Sequence, residues 1–172
     1  MLQYCLRGSA LAALPPGKTD TRYKSAVITE NKRLSNLDGL RHYPQIARID
    51  ASANALRDLR FVYFLPLLSQ LDVSGNAIVS IEPLREARSL TRLCISNNKI
   101  DDLRPLDHLE CLQFLDASKN NIRSVRLFYC SGLEELILDD NKIEGPVYLG
   151  KNPRLQYLSL RNNKISSTTE LV

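Results

Sequence analysis

The apolar and polar positions of this chain repeat with a fixed period. Apolar residues fall at the first, fourth, sixth and eleventh positions of the segments 68–78 and 90–100, and an asparagine falls at the ninth. Six such asparagines follow one another at intervals of 22, 22, 22, 21 and 22 residues. They are Asn54, Asn76, Asn98, Asn120, Asn141 and Asn163.

The period predicts a stack of repeats in which each repeat forms one short strand and one return segment. Neither element can bury its apolar side alone, so neighbouring repeats supply the core. Side chains alternate along a strand, so Leu71 and Val73 are predicted to point inward while Gln70, Asp72 and Ser74 point outward. The stack therefore has one outer sheet face whose side chains can be read from the sequence.

Each asparagine follows its strand, where the chain turns. A buried turn must satisfy its backbone N–H and C=O groups, and a carboxamide offers both donors and an acceptor. The six asparagines are therefore predicted to form a structural ladder.

This pattern resembles the leucine-rich repeat superfamily, over roughly residues 24–166. The 22-residue period, with isoleucine two residues after asparagine in Asn76-x-Ile78 and Asn98-x-Ile100, resembles the subclass named for a yeast phosphatase regulator. The resemblance implies an α/β fold, a leucine-rich repeat solenoid. Such a solenoid is a curved right-handed β-α superhelix with a parallel concave sheet and short helical or extended convex segments.

Three parts of the chain are distinguished. Residues 1–23 are predicted to be a tail or docking arm, which could pack as a short helix on the first repeat or stay disordered, because Pro15 and Pro16 break any helix before them. Residues 24–45 are a degenerate capping repeat with Lys32 in the asparagine position. Residues 46–172 hold six repeats without an evident C-terminal cap. We therefore expect the chain to be a fragment of a longer protein, and the alternative is that a partner covers its last repeat.

The convex segments carry their own signals. Pro83 and Pro105 lie seven residues after Asn76 and Asn98, where a fixed φ predicts the start of a short helical turn. The segment near Gly145 and Pro146 follows the single 21-residue interval and is predicted to be extended instead.

Composition sets further limits. The chain has 172 residues, of which 44% are hydrophobic and 24% charged, with a net charge of +4 and no tryptophan. No charge block predicts nucleic acid or membrane binding. The four cysteines, at positions 5, 94, 111 and 130, have no paired spacing, and the N-terminus lacks the features of a signal peptide. A reduced, cytoplasmic protein is expected.

No catalytic, metal or cofactor site is predicted. The segment 12–19 ends like a phosphate-binding loop, but Ala12 replaces the first glycine, two prolines remove N–H donors and no strand is expected before it. His42 and His108 have no Cys, Asp or Glu at metal-ligand spacing and are taken as surface histidines. The chain is not expected to be an enzyme.

Recognition is expected on the concave face. Phe114, Ile137 and Tyr157 lie on successive strands and offer an apolar anchor to a protein partner. Asp50 and Asp72 lie side by side, so a basic partner segment would relieve their repulsion. The alternative is that scattered apolar residues and solvated carboxylates are ordinary surface features. The predicted partner-binding residues are Arg48, Asp50, Asp72, Arg92, Cys94, Phe114, Asp116, Glu135, Ile137, Asp139 and Tyr157.

The segments 37–46 and 49–59 also resemble the opening repeats of ciliary leucine-rich repeat proteins, such as the radial-spoke repeat protein and the repeat protein fused to a guanylate kinase domain. This resemblance implies a non-enzymatic scaffold of the cilium or flagellum axoneme, monomeric alone and held within a larger complex. The alternatives are a regulatory subunit of a protein phosphatase, which the subclass name implies, and a spliceosomal or nuclear assembly partner. The lack of a basic stripe argues against direct RNA contact.

Overall fold

The fold is built on a long parallel sheet of very short strands. The computed structural model describes residues 5–7, 25–27, 34–145, 147–150 and 152–165. Eight strands form the sheet in the order β1-β2-β3-β4-β5-β6-β8-β10, and every pair is parallel. These strands are β1 Cys5–Arg7, β2 Ser25–Val27, β3 Arg48–Asp50, β4 Gln70–Asp72, β5 Arg92–Cys94, β6 Phe114–Asp116, β8 Glu135–Ile137 and β10 Tyr157–Ser159.

The core runs along the inner side of this sheet. Leu71 and Val73 are buried, whereas Gln70 and Asp72 between and beside them face outward and are half-buried, as the alternation predicts. The central residue of β3, β4, β5, β6 and β8 is buried in the same way. Apolar residues of the turns and of the convex side complete one continuous core. The predicted leucine-rich repeat solenoid with a parallel sheet is confirmed.

The convex side of the first repeats consists of short 3₁₀ helices. Pro83 and Pro105 each lie in the first turn of such a helix, which confirms the helical turns predicted at both prolines. A proline fits there because its fixed φ suits the turn and its missing N–H would have no partner in the first turn. The 3₁₀ helices span Asp38–His42, Arg60–Phe64, Glu82–Glu86 and Arg104–Leu106.

The convex side then changes from helix to strand. Strands β7 Val125–Arg126 and β9 Val147–Tyr148 form a separate two-stranded parallel sheet. The extended segment predicted after Gly145 is therefore confirmed, although Pro146 lies outside the described residues. The sequence did not predict that the change already begins one repeat earlier, at β7.

The 21-residue interval explains this earlier change. Buried Leu103 and Leu106 are three residues apart, as one 3₁₀ turn requires. In the next repeat buried Val125 and Leu127 are only two residues apart, which is the spacing of a strand. Removing one residue between the inward-pointing positions thus replaces a helical turn by an extended segment.

The N-terminal strands extend the sheet beyond the six regular repeats. Strand β2 pairs with β3 at the place of the degenerate repeat. Strand β1 pairs with β2, so residues 5–7 are neither helical nor disordered, which were the two conformations expected for this segment. The expectation that no strand precedes the segment 12–19 was also wrong. That segment, Lys32 and residues 166–172 lie outside the described residues.

Candidate functional site

In the six regular repeats, the turn after the strand of the long sheet is held by its asparagine. The Asn98 Nδ2 donates to the carbonyl oxygens of Val73, Ile95 and Ser96 at 3.0, 3.1 and 3.2 Å. Its Oδ1 accepts from the Ile78 N–H at 3.0 Å. One carboxamide thus joins its own turn to the preceding repeat and satisfies buried backbone groups of both. The same bridging contacts are made by Asn76, Asn120, Asn141 and Asn163.

A residue with positive φ precedes each asparagine and completes the sharp turn. Only one of these residues is glycine, Gly75, with a φ of 67°. The others are Ala53, Asn97, Lys119, Asp140 and Asn162, with φ between 52° and 56°. The turns therefore keep one geometry even where the side chain opposes it.

The outward side chains of the sheet form columns in strict register. Phe114 of β6 faces Glu135 of β8, which faces Tyr157 of β10. The next column places Asp116, Ile137 and Ser159 opposite one another. The full columns are Arg48, Gln70, Arg92, Phe114, Glu135 and Tyr157, then Asp50, Asp72, Cys94, Asp116, Ile137 and Ser159.

The predicted apolar anchor is less open to water than the sequence suggested. Tyr157 is 46% exposed, but Phe114 and Ile137 are half-buried. The Arg92 guanidinium lies over the Phe114 ring, with Cζ 3.6 Å from the ring centroid. This cation–π contact covers the ring while leaving a charged group at the surface. Ile137 lies on the strand between the two aromatic residues, at a position diagonal to each.

The aspartates of the second column have a local structural role. The carboxylate of Asp72 accepts a hydrogen bond from the Ser74 N–H at 2.9 Å, and Asp116 accepts one from the Ser118 N–H at 2.9 Å. Asp50 binds Ser52 in the same way, through both its N–H and its hydroxyl. Short polar side chains commonly bond the backbone two residues on in this manner. The carboxylates therefore have a reason to be on this face without a basic partner.

Asp139 differs because it joins two repeats. Its Oδ1 accepts from the Ser159 hydroxyl at 2.5 Å and from the Arg161 N–H at 2.8 Å. This carboxylate joins the turn after β8 to the end of β10. Asp139 was predicted to bind a partner, but its hydrogen bonds are those of a residue that stabilises the stack.

Cys94 lies in the middle of the concave face, between Asp72 and Asp116. Burial, together with the two neighbouring carboxylates, raises the pKa of its thiol to about 11. A thiol with this pKa stays protonated at neutral pH and is a poor nucleophile and metal ligand. Its position therefore suits contact with a partner and not covalent chemistry.

The histidines lie apart from one another. The His42 Nε2 accepts a hydrogen bond from the Arg41 Nε at 3.4 Å, and His108 stacks on Tyr129 with ring centroids 5.1 Å apart. Within the described ranges, no three His, Cys, Asp or Glu residues are grouped so that they could hold a metal ion. No helix in that part of the chain has the length and apolar character needed to cross a membrane.

An exposed aromatic pair on the convex side was missed by sequence reasoning. Phe128 and Tyr129 follow β7 and are 36% and 49% exposed. The available signal was the 21-residue interval between Asn120 and Asn141, because the shortened segment contains both rings.

Comparison with known sequences supports the repeat assignment locally. The Leucine Rich Repeat family model matches residues 154–171. No curated protein matches the chain.

Solved structures match over most of the chain. An internalin (InlF) of Listeria monocytogenes is 20% identical with a TM-score of 0.74, and covers 91% of this chain. Internalin C2 of the same organism is 24% identical with a TM-score of 0.76 over 88% of this chain. The plant peptide hormone receptor RGFR1, in complex with RGF2, is 26% identical with a TM-score of 0.70 over 83% of this chain.

The matched proteins are longer than this chain. The matches span 56%, 71% and 25% of the two internalins and the receptor, respectively. At these identities the two internalins establish a shared fold and not a shared function.

Proposed function

We propose that this leucine-rich repeat chain is a non-enzymatic protein-binding scaffold that holds its partner against the concave face. The main support is the register of the sheet, in which Phe114, Ile137 and Tyr157 lie on the three adjacent strands β6, β8 and β10. Strands tied by the asparagine ladder form a rigid surface, which lowers the conformational entropy lost on binding.

The proposed contact area has an apolar centre and a charged rim. Phe114, Ile137 and Tyr157 form the centre, and aromatic residues are the commonest anchors of protein interfaces. Asp72, Arg92, Asp116 and Glu135 form the rim. Arg92 covers Phe114 in the free chain, so a partner carboxylate could draw the guanidinium aside and expose the ring.

The fold is compatible with protein ligands. The matched plant peptide hormone receptor is in complex with RGF2. That complex supports a binding role for this chain by analogy of fold, and the partner of this chain has to be identified from its own surface.

We further propose that the scaffold works in the cytoplasm, within the cilium or flagellum axoneme. The support is the resemblance of the segments 37–46 and 49–59 to ciliary repeat proteins. A phosphatase regulator remains the alternative, and the absence of tryptophan from the chain weakens it because the concave face then offers fewer large anchors.

The binding role is tested by affinity capture from cell extract with the parent chain and the double variant Phe114→Ala/Ile137→Ser. Tyr63→Ser is the matched control, since Tyr63 is 59% exposed and lies on the convex side. We expect specific partners to be lost with the double variant and kept with the control, provided that all proteins have the same circular dichroism spectrum. Identical partner lists from all three would disprove docking on the concave face.

The proposed location in the axoneme is tested by the identity of the lost partners and by cell fractionation. Axonemal proteins, together with retention of the chain in detergent-resistant axonemes, are expected. A phosphatase catalytic subunit among the lost partners would replace the axonemal proposal by the alternative. Nuclear splicing proteins would contradict both.

A further inference from the structure

Four aromatic rings form a continuous strip on the convex side. His108 stacks on Tyr129, with ring centroids 5.1 Å apart and planes 12° apart. Phe128 contacts Tyr129 on one side and Tyr148 on the other, at centroid distances of 6.4 and 5.9 Å. Here these four residues are called the convex strip. They bring together side chains of three successive repeats on the opposite side from the proposed concave site.

The strip is held in place by contacts from the repeats on both sides of Phe128 and Tyr129. The Asp107 carboxylate accepts hydrogen bonds from the N–H groups of both Phe128 and Tyr129. Gly150 packs directly against Phe128, because a Cβ at this glycine would lie 2.8 Å from Phe128 Cδ1 and 3.1 Å from its Cα. Rings held in place in this way lose little freedom when a partner covers them.

The groove beside the strip leaves one positive charge unpaired. The groove has a volume of about 520 Å³, and its walls include three arginines and three carboxylates. The Asp107 carboxylate accepts the two backbone hydrogen bonds described above. Arg85 pairs with Glu82 at 2.6 Å and Arg104 pairs with Asp102 at 2.8 Å. Within the described ranges the third, Arg126, has no carboxylate at ion-pair distance.

Arg126 adjoins both the groove and the strip. Its guanidinium carbon lies 5.6 Å from the centroid of the Tyr148 ring, and the residue is exposed. An arginine beside aromatic rings can bind a carboxylate with two parallel hydrogen bonds while an apolar group covers the rings.

We propose that the convex strip and Arg126 form a second docking surface, for an acidic protein segment that carries an aromatic or large aliphatic side chain. The apolar side chain covers Phe128 and Tyr129, and a carboxylate of the same segment pairs with Arg126. The groove walls hold as many carboxylates, Glu82, Asp102 and Asp107, as arginines, so they offer no excess positive charge to a polyanion such as nucleic acid. A short apolar segment with a single carboxylate for Arg126 fits better. This surface is independent of the proposed concave site, and the chain could then join two proteins.

Another exposed apolar patch lacks these features and provides the control. Tyr63 and Phe64 are 59% and 42% exposed on an earlier repeat. In the described part of the chain neither has a ring contact, and the nearby Arg60 is already paired with Asp58 at 3.1 Å. An isolated exposed aromatic residue is an ordinary surface feature.

The proposal is tested with a phage-displayed library of random twelve-residue peptides selected on the parent chain. The enriched peptides are then synthesised with a fluorescent label, and their affinity is measured by fluorescence anisotropy. We expect the enriched sequences to combine Asp or Glu with an aromatic or large aliphatic residue. Their affinity should fall about tenfold or more in Arg126→Glu and in Phe128→Ser, and higher salt should weaken binding to the parent chain.

Two further variants separate this surface from the concave site. Tyr63→Ser and the concave double variant Phe114→Ala/Ile137→Ser should bind the selected peptides as tightly as the parent chain. Gly150→Ala keeps every contact group of the strip but displaces the Phe128 ring. It should therefore weaken the binding of the selected peptides. A circular dichroism spectrum equal to that of the parent chain, recorded at the temperature of the binding measurement, shows that a loss of binding is not a loss of folding.

Three results would overturn the proposal. The first is a selection that yields basic peptides or no peptide sensitive to Arg126→Glu. The second is loss of binding in the concave variant, which would place the peptides on the other face. The third is self-association in sedimentation experiments that Phe128→Ser abolishes, because the strip would then be covered by a second copy of the chain.

Discussion

At the scale of single residues, a few polar side chains replace backbone pairing that short strands cannot provide. Asn98 makes four hydrogen bonds to backbone groups, and they reach two consecutive repeats. The carboxylates of Asp72 and Asp116 bond the turn from the outside. Buried backbone groups at these turns therefore depend on side chains of their own turn and of the next repeat.

Replacing Asn98 by alanine should destabilise the chain by about 2–4 kcal/mol, because buried donors and acceptors lose their partners. The free energy of unfolding is measured by urea denaturation. Asn121→Ala is the matched control, because among the described residues the Asn121 side chain only accepts one exposed hydrogen bond, from the Lys142 Nζ. Equal effects of the two substitutions would contradict a ladder role.

The three described cysteines should differ in reactivity. Cys111 is exposed and is expected to be alkylated first by iodoacetamide. Burial raises the pKa of Cys94 to about 11 and that of Cys130 to about 12. At pH 8 a thiol of pKa 11 has a thiolate fraction of about one thousandth, so both should react slowly. Mass spectrometry of a Cys5→Ser variant follows each site, and early modification of Cys94 would contradict its burial.

At the scale of elements, strands of three residues and turns of one geometry recur while the residues inside them vary. The turn position before each asparagine requires positive φ, yet it holds glycine only at Gly75. The repeat imposes its backbone on alanine, lysine and aspartate at a cost to each. The energy of the whole turn thus overrides the preference of one residue.

Two opposite substitutions test this cost. Gly75→Ala should destabilise the chain by about 1 kcal/mol, because its φ of 67° disfavours a side chain although the nearest atoms are 3.6 Å away. Ala53→Gly should stabilise it by about 0.5–1 kcal/mol, since its φ is 53°. Urea denaturation measures both. Changes of the same sign would show that packing, and not φ, controls this position.

The convex elements follow the spacing of their buried residues. Inward positions three residues apart give a 3₁₀ turn at Leu103 and Leu106, and inward positions two residues apart give a strand at Val125 and Leu127. One missing residue also leaves Phe128 and Tyr129 at the surface. The proposed second docking surface therefore arises from a local change in period.

At the scale of the whole molecule, each repeat contacts only its neighbours, so stability depends on position in the stack. Leu115 in the middle of the sheet is fully buried. Leu158 in β10 is only partly buried, as are the surrounding Leu155, Leu160 and Ile165. The described C-terminal repeat is therefore less well covered than the central ones.

The same substitution should consequently differ in cost along the stack. Leu115→Ala is expected to cost about 3–4 kcal/mol, and Leu158→Ala about 1–2 kcal/mol, because the second leaves a smaller buried cavity. Urea denaturation of the two variants gives the comparison. A larger cost at Leu158 would mean that the C-terminal repeat is buried more deeply than the described structure shows.

The two faces differ in how far the sequence predicts them. The concave columns follow from the period, so the repeat spacing alone assigns Phe114, Glu135 and Tyr157 as neighbours. Their environment does not follow from it, because the coverage of Phe114 by Arg92 depends on a side-chain conformation across two strands. The convex strip could not be assigned, because its rings belong to segments without a regular period.

The sequence by itself determined the repeat, the parallel sheet and the inward and outward positions, since all of these follow from local spacing. Tertiary structure alone decided which outward groups are open. Whether a side chain is exposed depends on neighbours about twenty residues away, as with the packing of Gly150 against Phe128 and the Asp107 carboxylate that accepts from the Phe128 N–H. Spacing along the chain determines whether a side chain points inward or outward. Contacts between repeats determine whether an outward side chain is exposed and whether its charge is paired.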